Sequence, residues 1–150
     1  MSVAVREATI KDLETLYRIE HDCFTHEAFS KGYIAHLLQR PDAISLVAEV
    51  EGETVGFAIA LVRTRKSKKV GHIFTVDVEP KIRKRGVGLR LLTELESALK
   101  RQGTTRCYLE VRIDNTAARR LYKKLGYAEA GTLKDFYGFD KDGVVMKKTL

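Results

Sequence analysis

A basic, glycine-containing segment lies where a predicted strand gives way to a long predicted helix. Residues 76–88 read VDVEPKIRKRGVG, in which Pro80 ends the strand and two glycines mark the start of the helix. Backbone N–H groups at a helix start have no partner within the helix, and the helix dipole there attracts anions. Gly86 and Gly88 allow the backbone to approach phosphate oxygens, and Arg83 and Arg85 add charged donors. This segment therefore predicts a diphosphate site, although it is neither a Walker loop nor a dinucleotide fingerprint.

Residues 109–122, LEVRIDNTAARRLY, form a second candidate site. Asn115 and Tyr122 are two helical turns apart, so both point the same way. A carboxylate such as Glu110 can accept a proton and a phenol such as Tyr122 can donate one. Taken singly, Glu110 is better explained as an outward-facing strand residue, Asn115 as a helix cap and Tyr122 as a packed aromatic. The segment becomes a candidate site through the resemblance of the whole block to a known motif.

Together these segments resemble a known family. Arg83-x-x-Gly86-x-Gly88 after the strand end is similar to motif A of the GNAT family, the acetyl-CoA-dependent N-acetyltransferases. Residues 109–127 are similar to motif B of its ribosomal-protein N-terminal alanine acetyltransferases and archaeal N-alpha-acetyltransferases. Lys84 stands where many members carry glycine. The resemblance spans the chain and implies an acetyl-CoA site formed by Val76, Asp77, Val78, Arg83, Lys84, Arg85, Gly86, Val87, Gly88, Leu89 and Asn115.

The resemblance also implies how the reaction runs. Glu110 is expected to be the general base and Tyr122 the general acid, while a strand N–H near Val78 polarises the thioester carbonyl. Neither a metal nor a covalent enzyme intermediate is required. Because N-terminal amines have pKa values near 8 and lysines near 10.4, more of an N-terminus is in the reactive neutral form. The expected acceptor is therefore a protein or peptide N-terminus, with ribosomal proteins among the candidates.

The acceptor side departs from the family pattern. Phe24, Phe29 and Tyr137 are expected to contact the substrate, in segments that resemble the first helix-to-helix loop and the paired aromatics of peptide acetylases. Ala28 stands where a proline is usual, and Val144-Val145 replaces an Asp-Ala pair. An acetyltransferase for lysine side chains or small-molecule amines therefore remains an alternative.

Apolar periodicity predicts the elements that position these residues. We expect a mixed, mostly antiparallel α/β (α+β) sheet of about seven strands with four helices on its two faces, in a single domain over residues 1–150. The predicted strands cover residues 3–6, 44–50, 54–62, 70–78, 106–113, 127–133 and 144–148. The predicted helices begin after Thr9 and Ser30 and cover residues 86–102 and 115–125.

The composition limits the compartments and the alternative functions that are compatible with the chain. The chain has 150 residues, 44% of them hydrophobic, and no signal peptide or membrane-length apolar run, so we expect a cytoplasmic enzyme that is a monomer or homodimer. Cys23 and Cys107 are expected to be free thiols. The net charge of +7 leaves a nucleic-acid-binding module as an alternative function. This alternative is disfavoured because no surface aromatic residues interleave with the basic residues. The basic residues of 63–69 lie at a predicted hairpin tip. His21, Cys23 and His26 do not match a zinc spacing, and His36 and His72 have no evident partner.

Overall fold

A computed structural model describes residues 1–24 and 27–150. It contains four α-helices, which are α1 (Leu13–Cys23), α2 (Lys31–Leu38), α3 (Val87–Arg101) and α4 (Thr116–Lys124). Seven strands accompany them, which are β1 (Val3–Glu7), β2 (Ala43–Val50), β3 (Glu53–Arg65), β4 (Lys68–Val78), β5 (Arg106–Arg112), β6 (Ala128–Leu133) and β7 (Gly143–Thr149). The order of helices and strands agrees with the sequence prediction.

The strands form one mixed sheet in the order β1-β2-β3-β4-β5-β7-β6. All neighbouring strands are antiparallel except β4 and β5, which are parallel and connected through α3. The last two strands pair with each other, and β7 lies between β5 and β6. The predicted class is confirmed as a seven-stranded, mostly antiparallel α/β sheet with four helices.

Two apolar cores lie on the two faces of the sheet. On one face, α1 and α2 cover alternate residues of β3, and the buried side chains are Leu16, Ile19, Ile34, Leu37, Val47, Phe57, Ile59 and Leu61. On the other face, the apolar stripe of α3 packs at helical spacing, and its buried members are Val87, Leu91, Leu92, Leu95 and Leu99. Packing on both faces fixes the central strands that carry the candidate site.

Local signals explain where the elements begin. Thr9 and Asp12 form a capping box before α1, and the Ser30 hydroxyl accepts a hydrogen bond from Tyr33 N at 3.1 Å, so both helices begin where the sequence predicts. The turns of the β2–β3 and β3–β4 hairpins each contain two residues with positive φ, as tight hairpins require. Residues 63–69 thus form the predicted hairpin tip. Both cysteines are free thiols, as predicted.

In the described part of the chain, no helix is long and apolar enough to cross a membrane.

Candidate active site

A gap opens between β4 and β5 in the middle of the sheet. The two parallel strands pair only from Val70 to His72 and from Arg106 to Tyr108. Beyond that point each strand continues without the other, and one extra residue in β4, Phe74, interrupts its register with β3. The diverging strands leave a cavity of about 800 Å³. A ligand can enter the sheet through this gap, because the two strands no longer contact each other there.

Seven of the predicted site residues line this cavity. They come from the α1–α2 connection, β4, β5, α4 and the β6–β7 loop, and they are Phe24, Phe29, Val76, Glu110, Asn115, Tyr122 and Tyr137. The other predicted residues, Asp77, Val78 and Arg83 to Leu89, lie outside its lining, at the end of β4 and the start of α3. The structure thus brings the proposed acid, base and acceptor aromatics together around one cavity.

The backbone of β4 presents free polar groups to the gap. Glu79 N–H donates to Val55 O at 2.8 Å, which makes Glu79 and Val55 a hydrogen-bonded pair with β3. Such pairs alternate in an antiparallel ladder, so the backbone of Asp77 also faces β3, whereas Val76 and Val78 face away from it. Val78 O accordingly accepts from Arg83 Nε at 3.2 Å instead of from β3. The N–H groups of Val76 and Val78 are therefore directed into the gap.

The predicted diphosphate segment carries six consecutive unpartnered N–H groups. Among the described residues, no hydrogen bond is formed by the backbone N–H of Lys84, Arg85, Gly86, Val87, Gly88 or Leu89. Positive φ values at Lys84 (64°) and Gly86 (84°) curl the chain into a concave turn at the N-terminus of α3, a geometry that suits an anion. Val87 is buried, so only its backbone is available there.

Two positions in this turn have distinct physical requirements. Lys84 adopts the left-handed conformation that glycine tolerates best, which explains why glycine is usual at this position. This conformation destabilises a lysine by about 1 kcal/mol. A Cβ on Gly88 would meet only Val78 Cγ2, at an ordinary 3.6 Å. The space beside Gly88 is therefore not required by the packing of the protein, and it fits a phosphate placed against the backbone.

Glu110 has a partner that the sequence did not reveal. His72 Nε2 lies 2.8 Å from Glu110 Oε1, and Arg63 Nε lies 3.2 Å from His72 Nδ1. Because Arg63 can only donate, His72 Nδ1 must accept, so the neutral ring carries its proton on Nε2 and donates to Glu110. His72 also stacks on Tyr108 with 4.3 Å between ring centroids. Only the parallel register of β4 and β5 could have identified this pair.

Tyr122 lies on α4 and Asn115 is the N-cap of that helix, and both line the same cavity. Asn115 Oδ1 accepts from Ala118 N at 3.2 Å, so this residue caps the helix as well as lining the cavity. Tyr122 packs edge-on against Tyr127. Its hydroxyl forms no hydrogen bond with the described residues, and burial, followed by the charge of Asp77, raises the pKa of Tyr122 above its usual value. The phenol therefore keeps its proton at neutral pH.

The lining of the cavity combines acidic and aromatic side chains. Its carboxylates include Glu27, which lies 3.6 Å from Arg112, and Glu110. Its aromatic side chains include Phe24, Phe29, Phe74, Phe136 and Tyr137. Carboxylates and aromatic faces both attract a cation, so this lining fits an ammonium group that arrives from solvent.

A buried acidic cluster beneath the cavity was also missed by the sequence prediction. Glu20 and Asp77 are each 1% exposed, and both approach the hydroxyl of Thr75. Glu20 also accepts from Phe29 N at 2.9 Å, whereas Asp77 Oδ2 has no partner among the described residues. Burial and the neighbouring Glu20 raise the pKa of Asp77 well above its usual value. The available signal was a glutamate at position 20 on the apolar stripe of α1, seven residues after Leu13.

No group of three or more potential metal ligands is present among residues 1–24 and 27–150. His26, from the disfavoured zinc constellation, lies outside the described residues.

Comparison with known proteins agrees with this geometry. Residues 13–127 match the model of the acetyltransferase (GNAT) family. The chain is 30% identical to the N-alpha-acetyltransferase of Sulfurisphaera tokodaii, over 97% of this chain and 92% of that protein. Ard1 from Thermoplasma volcanium has the same fold with a TM-score of 0.91 and 28% identity, over 100% of this chain and 99% of that one.

A bacterial enzyme of solved structure is also similar. The ribosomal-protein-S18-alanine N-acetyltransferase from Escherichia coli superposes with a TM-score of 0.89 and 26% identity, over 99% of this chain and 94% of that one. With its split sheet, its anion-binding turn and a family match over most of its length, the chain belongs to the GNAT family of acetyltransferases.

Proposed function

We propose that this acetyltransferase modifies the α-amine of protein N-termini, with Glu110 as general base and Tyr122 as general acid. The observation that carries the proposal is the oriented His72–Glu110 pair at the point where β4 and β5 separate. A carboxylate held there lines the cavity and can receive a proton from an incoming amine.

The donor site fits acetyl-CoA. Six free N–H groups at the start of α3 are available to its diphosphate, and the N–H groups of Val76 and Val78 are available to its pantetheine arm and thioester oxygen. When bound, acetyl-CoA supplies a thioester whose carbonyl carbon accepts the amine nitrogen as the C–S bond breaks. The residues of the chain then have two tasks, which are to remove a proton from nitrogen and to supply one to sulfur.

Glu110 performs the first task in this proposal. Its side chain is 17% exposed, so an amine or an intervening water can reach it. His72 donates to one carboxylate oxygen and leaves the other for the proton of the amine. The Arg63–His72 hydrogen bond keeps the ring in the donating tautomer, so the orientation of Glu110 depends on side chains from β3, β4 and β5.

Tyr122 performs the second task. Its raised pKa means that the phenol is protonated when the CoA thiolate departs. Its hydroxyl is not committed to any described residue and is free to donate to sulfur.

The acceptor class follows from amine chemistry and from the relatives. At neutral pH the reactive neutral fraction of an N-terminus exceeds that of a lysine by about two orders of magnitude, which suits a single carboxylate base. The similar proteins from Sulfurisphaera tokodaii and Escherichia coli are named for N-alpha-acetylation and for the alanine of ribosomal protein S18, respectively. Both lines of support favour a protein N-terminus, and ribosomal proteins are the first acceptors to examine.

The test offers both amines on one molecule. A peptide with a free N-terminal alanine and an internal lysine is incubated with acetyl-CoA and the enzyme, and mass spectrometry locates the acetyl group. We expect modification of the α-amine, and none when that amine is blocked. Acetylation of the lysine alone, or of free diamines in preference to the peptide, would replace the N-terminal acceptor with the alternative classes.

A further inference from the structure

The excess positive charge of the chain is confined to two short segments. Residues 63–69 and 100–106 contain eight lysines and arginines and no aspartate or glutamate. Outside them the chain has 19 basic and 20 acidic residues, so these fourteen residues account for more than the whole net charge of +7. They also contain no aromatic or aliphatic side chain. We call the two segments together the basic pole.

The fold brings the two segments to one end of the sheet. Lys69 Nζ donates to Gln102 O at 2.9 Å, which connects the β3–β4 hairpin tip to the C-terminus of α3. The first residue of β5, Arg106, is the register partner of Val70, just after the hairpin. The eight basic side chains therefore occupy one continuous surface made by a hairpin tip, a helix end and a strand start.

These charges are not neutralised within the protein. None of the eight has a carboxylate within 4.0 Å among the residues that the structure describes, although salt bridges are frequent elsewhere. Seven of the eight are exposed, and only Arg63, which contacts His72, is partly buried. Lys100, Arg101 and Lys69 interact with the C-terminus of α3, and Arg63 donates to His72, but Arg65, Lys66 and Lys68 form no such contact with the described residues.

The pole is also distinct from the acetyl-CoA site. The phosphate-binding turn follows the C-terminal end of β4, whereas the hairpin tip precedes its N-terminal end, about 30 Å away along the strand. The cavity between them is lined by carboxylates and aromatic side chains. Charge for the diphosphate is already supplied by the turn at residues 83–88, so the cofactor does not explain the pole.

We propose that the basic pole binds the phosphate backbone of folded RNA. Eight cations without a carboxylate partner among the described residues, contributed by a hairpin tip, a helix end and a strand start, match an extended, regularly charged surface better than a short acidic peptide, which would cover only part of them. The absence of aromatic side chains excludes base stacking as the mode of binding, so recognition is of backbone charge and shape. Such binding would hold the enzyme close to RNA-associated proteins without using its active site.

The test measures binding of the full chain to a fluorescent RNA hairpin with a stem of about 16 base pairs, by anisotropy at about 50 to 200 mM salt. We expect affinity to fall steeply with salt. The triple variant Arg65→Gln, Lys66→Gln, Lys68→Gln should bind at least about 10-fold more weakly and lower the slope of log K against log salt by about 2 to 3. Peptide acetylation should not change, because none of these residues contacts the cavity.

A matched triple variant removes the same charge elsewhere. Lys11→Gln, Lys124→Gln, Lys134→Gln replaces three exposed lysines outside the pole and should leave RNA affinity and the salt slope close to wild type. If the triple variant of the basic pole misfolds and so loses acetylation activity, the single variants Arg65→Gln and Lys68→Gln are measured instead. Each should lower the slope of log K against log salt by about 1. Three results would overturn the proposal: no RNA binding at low salt, an equal loss of RNA affinity in the two triple variants, or binding of polyglutamate that is as tight as binding of RNA.

Discussion

The ring of His72, on the last residue of β4 that pairs with β5, donates to Glu110, two residues beyond the end of that ladder. The hydrogen bond of 2.8 Å thus spans the mouth of the gap between the strands. Stacking on Tyr108 and the hydrogen bond from Arg63 fix the ring on its other sides. A carboxylate in a wide cavity would otherwise sample several rotamers, so we assign His72 as the positioning residue for the proposed base.

His72→Phe should keep the stacking but remove the donor. We expect kcat/KM to fall about 10- to 100-fold while CoA affinity measured by calorimetry is unchanged. The same substitution in a Glu110→Gln background should have little further effect, because the two residues act as one unit. His36→Phe, on the exposed side of α2, is the matched control and should be fully active. Additive losses in the double variant would mean that His72 only maintains the fold.

Glu110→Gln keeps an oxygen that can accept from His72 and removes the base. With a peptide N-terminus as acceptor, the activity deficit should be largest near pH 6.5 and should shrink as pH rises through about 8, where the amine loses its own proton. With a lysine acceptor the deficit should persist above pH 9. Acetylation rates measured over this pH range on one peptide distinguish the two acceptors. Wild-type activity of the variant at pH 6.5 would contradict the assignment of Glu110 as the base.

Tyr122→Phe should affect turnover far more than binding. The phenol acts on the departing thiolate, an interaction present only in the transition state, so kcat should fall about 100-fold with little change in KM. Steady-state kinetics with saturating peptide measure this directly. A rise in KM with normal kcat would show instead that Tyr122 serves only to pack against Tyr127.

Gly88→Glu tests the phosphate turn. The new side chain would enter space that nothing in the protein occupies and would repel the diphosphate, so CoA binding should be lost while thermal stability is retained. Gly32→Glu is the control, since a Cβ there meets nothing within 4 Å and Gly32 lies in α2, away from the turn. Equal CoA affinity in folded Gly88→Glu would place the diphosphate elsewhere.

Local and periodic signals predicted the fold well. The capping signal at Thr9, the apolar stripe of α3 and the apolar runs of β2 to β5 each act over a few residues, and each was confirmed. The order of β6 and β7 in the sheet depends on pairing between distant strands, which no local pattern encodes.

The site was only partly predictable for the same reason. Motif residues such as Glu110 and Tyr122 are marked by spacing within one segment, and the structure brings both to the cavity. His72 and Glu20 belong to the site through contacts with residues 38 and 55 positions away. Such contacts depend on strand register and on helix docking, so the sequence shows these residues only as a histidine without a partner and a glutamate on an apolar helix face.

The buried pair of Glu20 and Asp77 predicts a pH dependence of stability. Folding raises the pKa of Asp77, so between its unfolded and folded pKa values the native state binds more protons than the unfolded state. The free energy of unfolding must therefore decrease as pH rises through this interval. Each unit of the upward shift is worth about 1.4 kcal/mol. Asp77→Asn resembles the protonated acid, does not titrate, and can donate to Glu20 while accepting from Thr75.

We therefore expect Asp77→Asn to be more stable than wild type at pH 8, with a difference that shrinks toward pH 4.5, as measured by urea unfolding. Asp114→Asn is the control, because the pKa of this exposed carboxyl is shifted in the opposite direction: the hydrogen bond from Arg112 lowers it. Replacing Asp114 should therefore give no gain in stability at pH 8. A less stable Asp77→Asn at pH 8 would show that the buried carboxylate is ionised and paired in the native protein. In that case the negative charge of Asp77 lies beneath the cavity, and the phenol of Tyr122 would lose its proton still less readily.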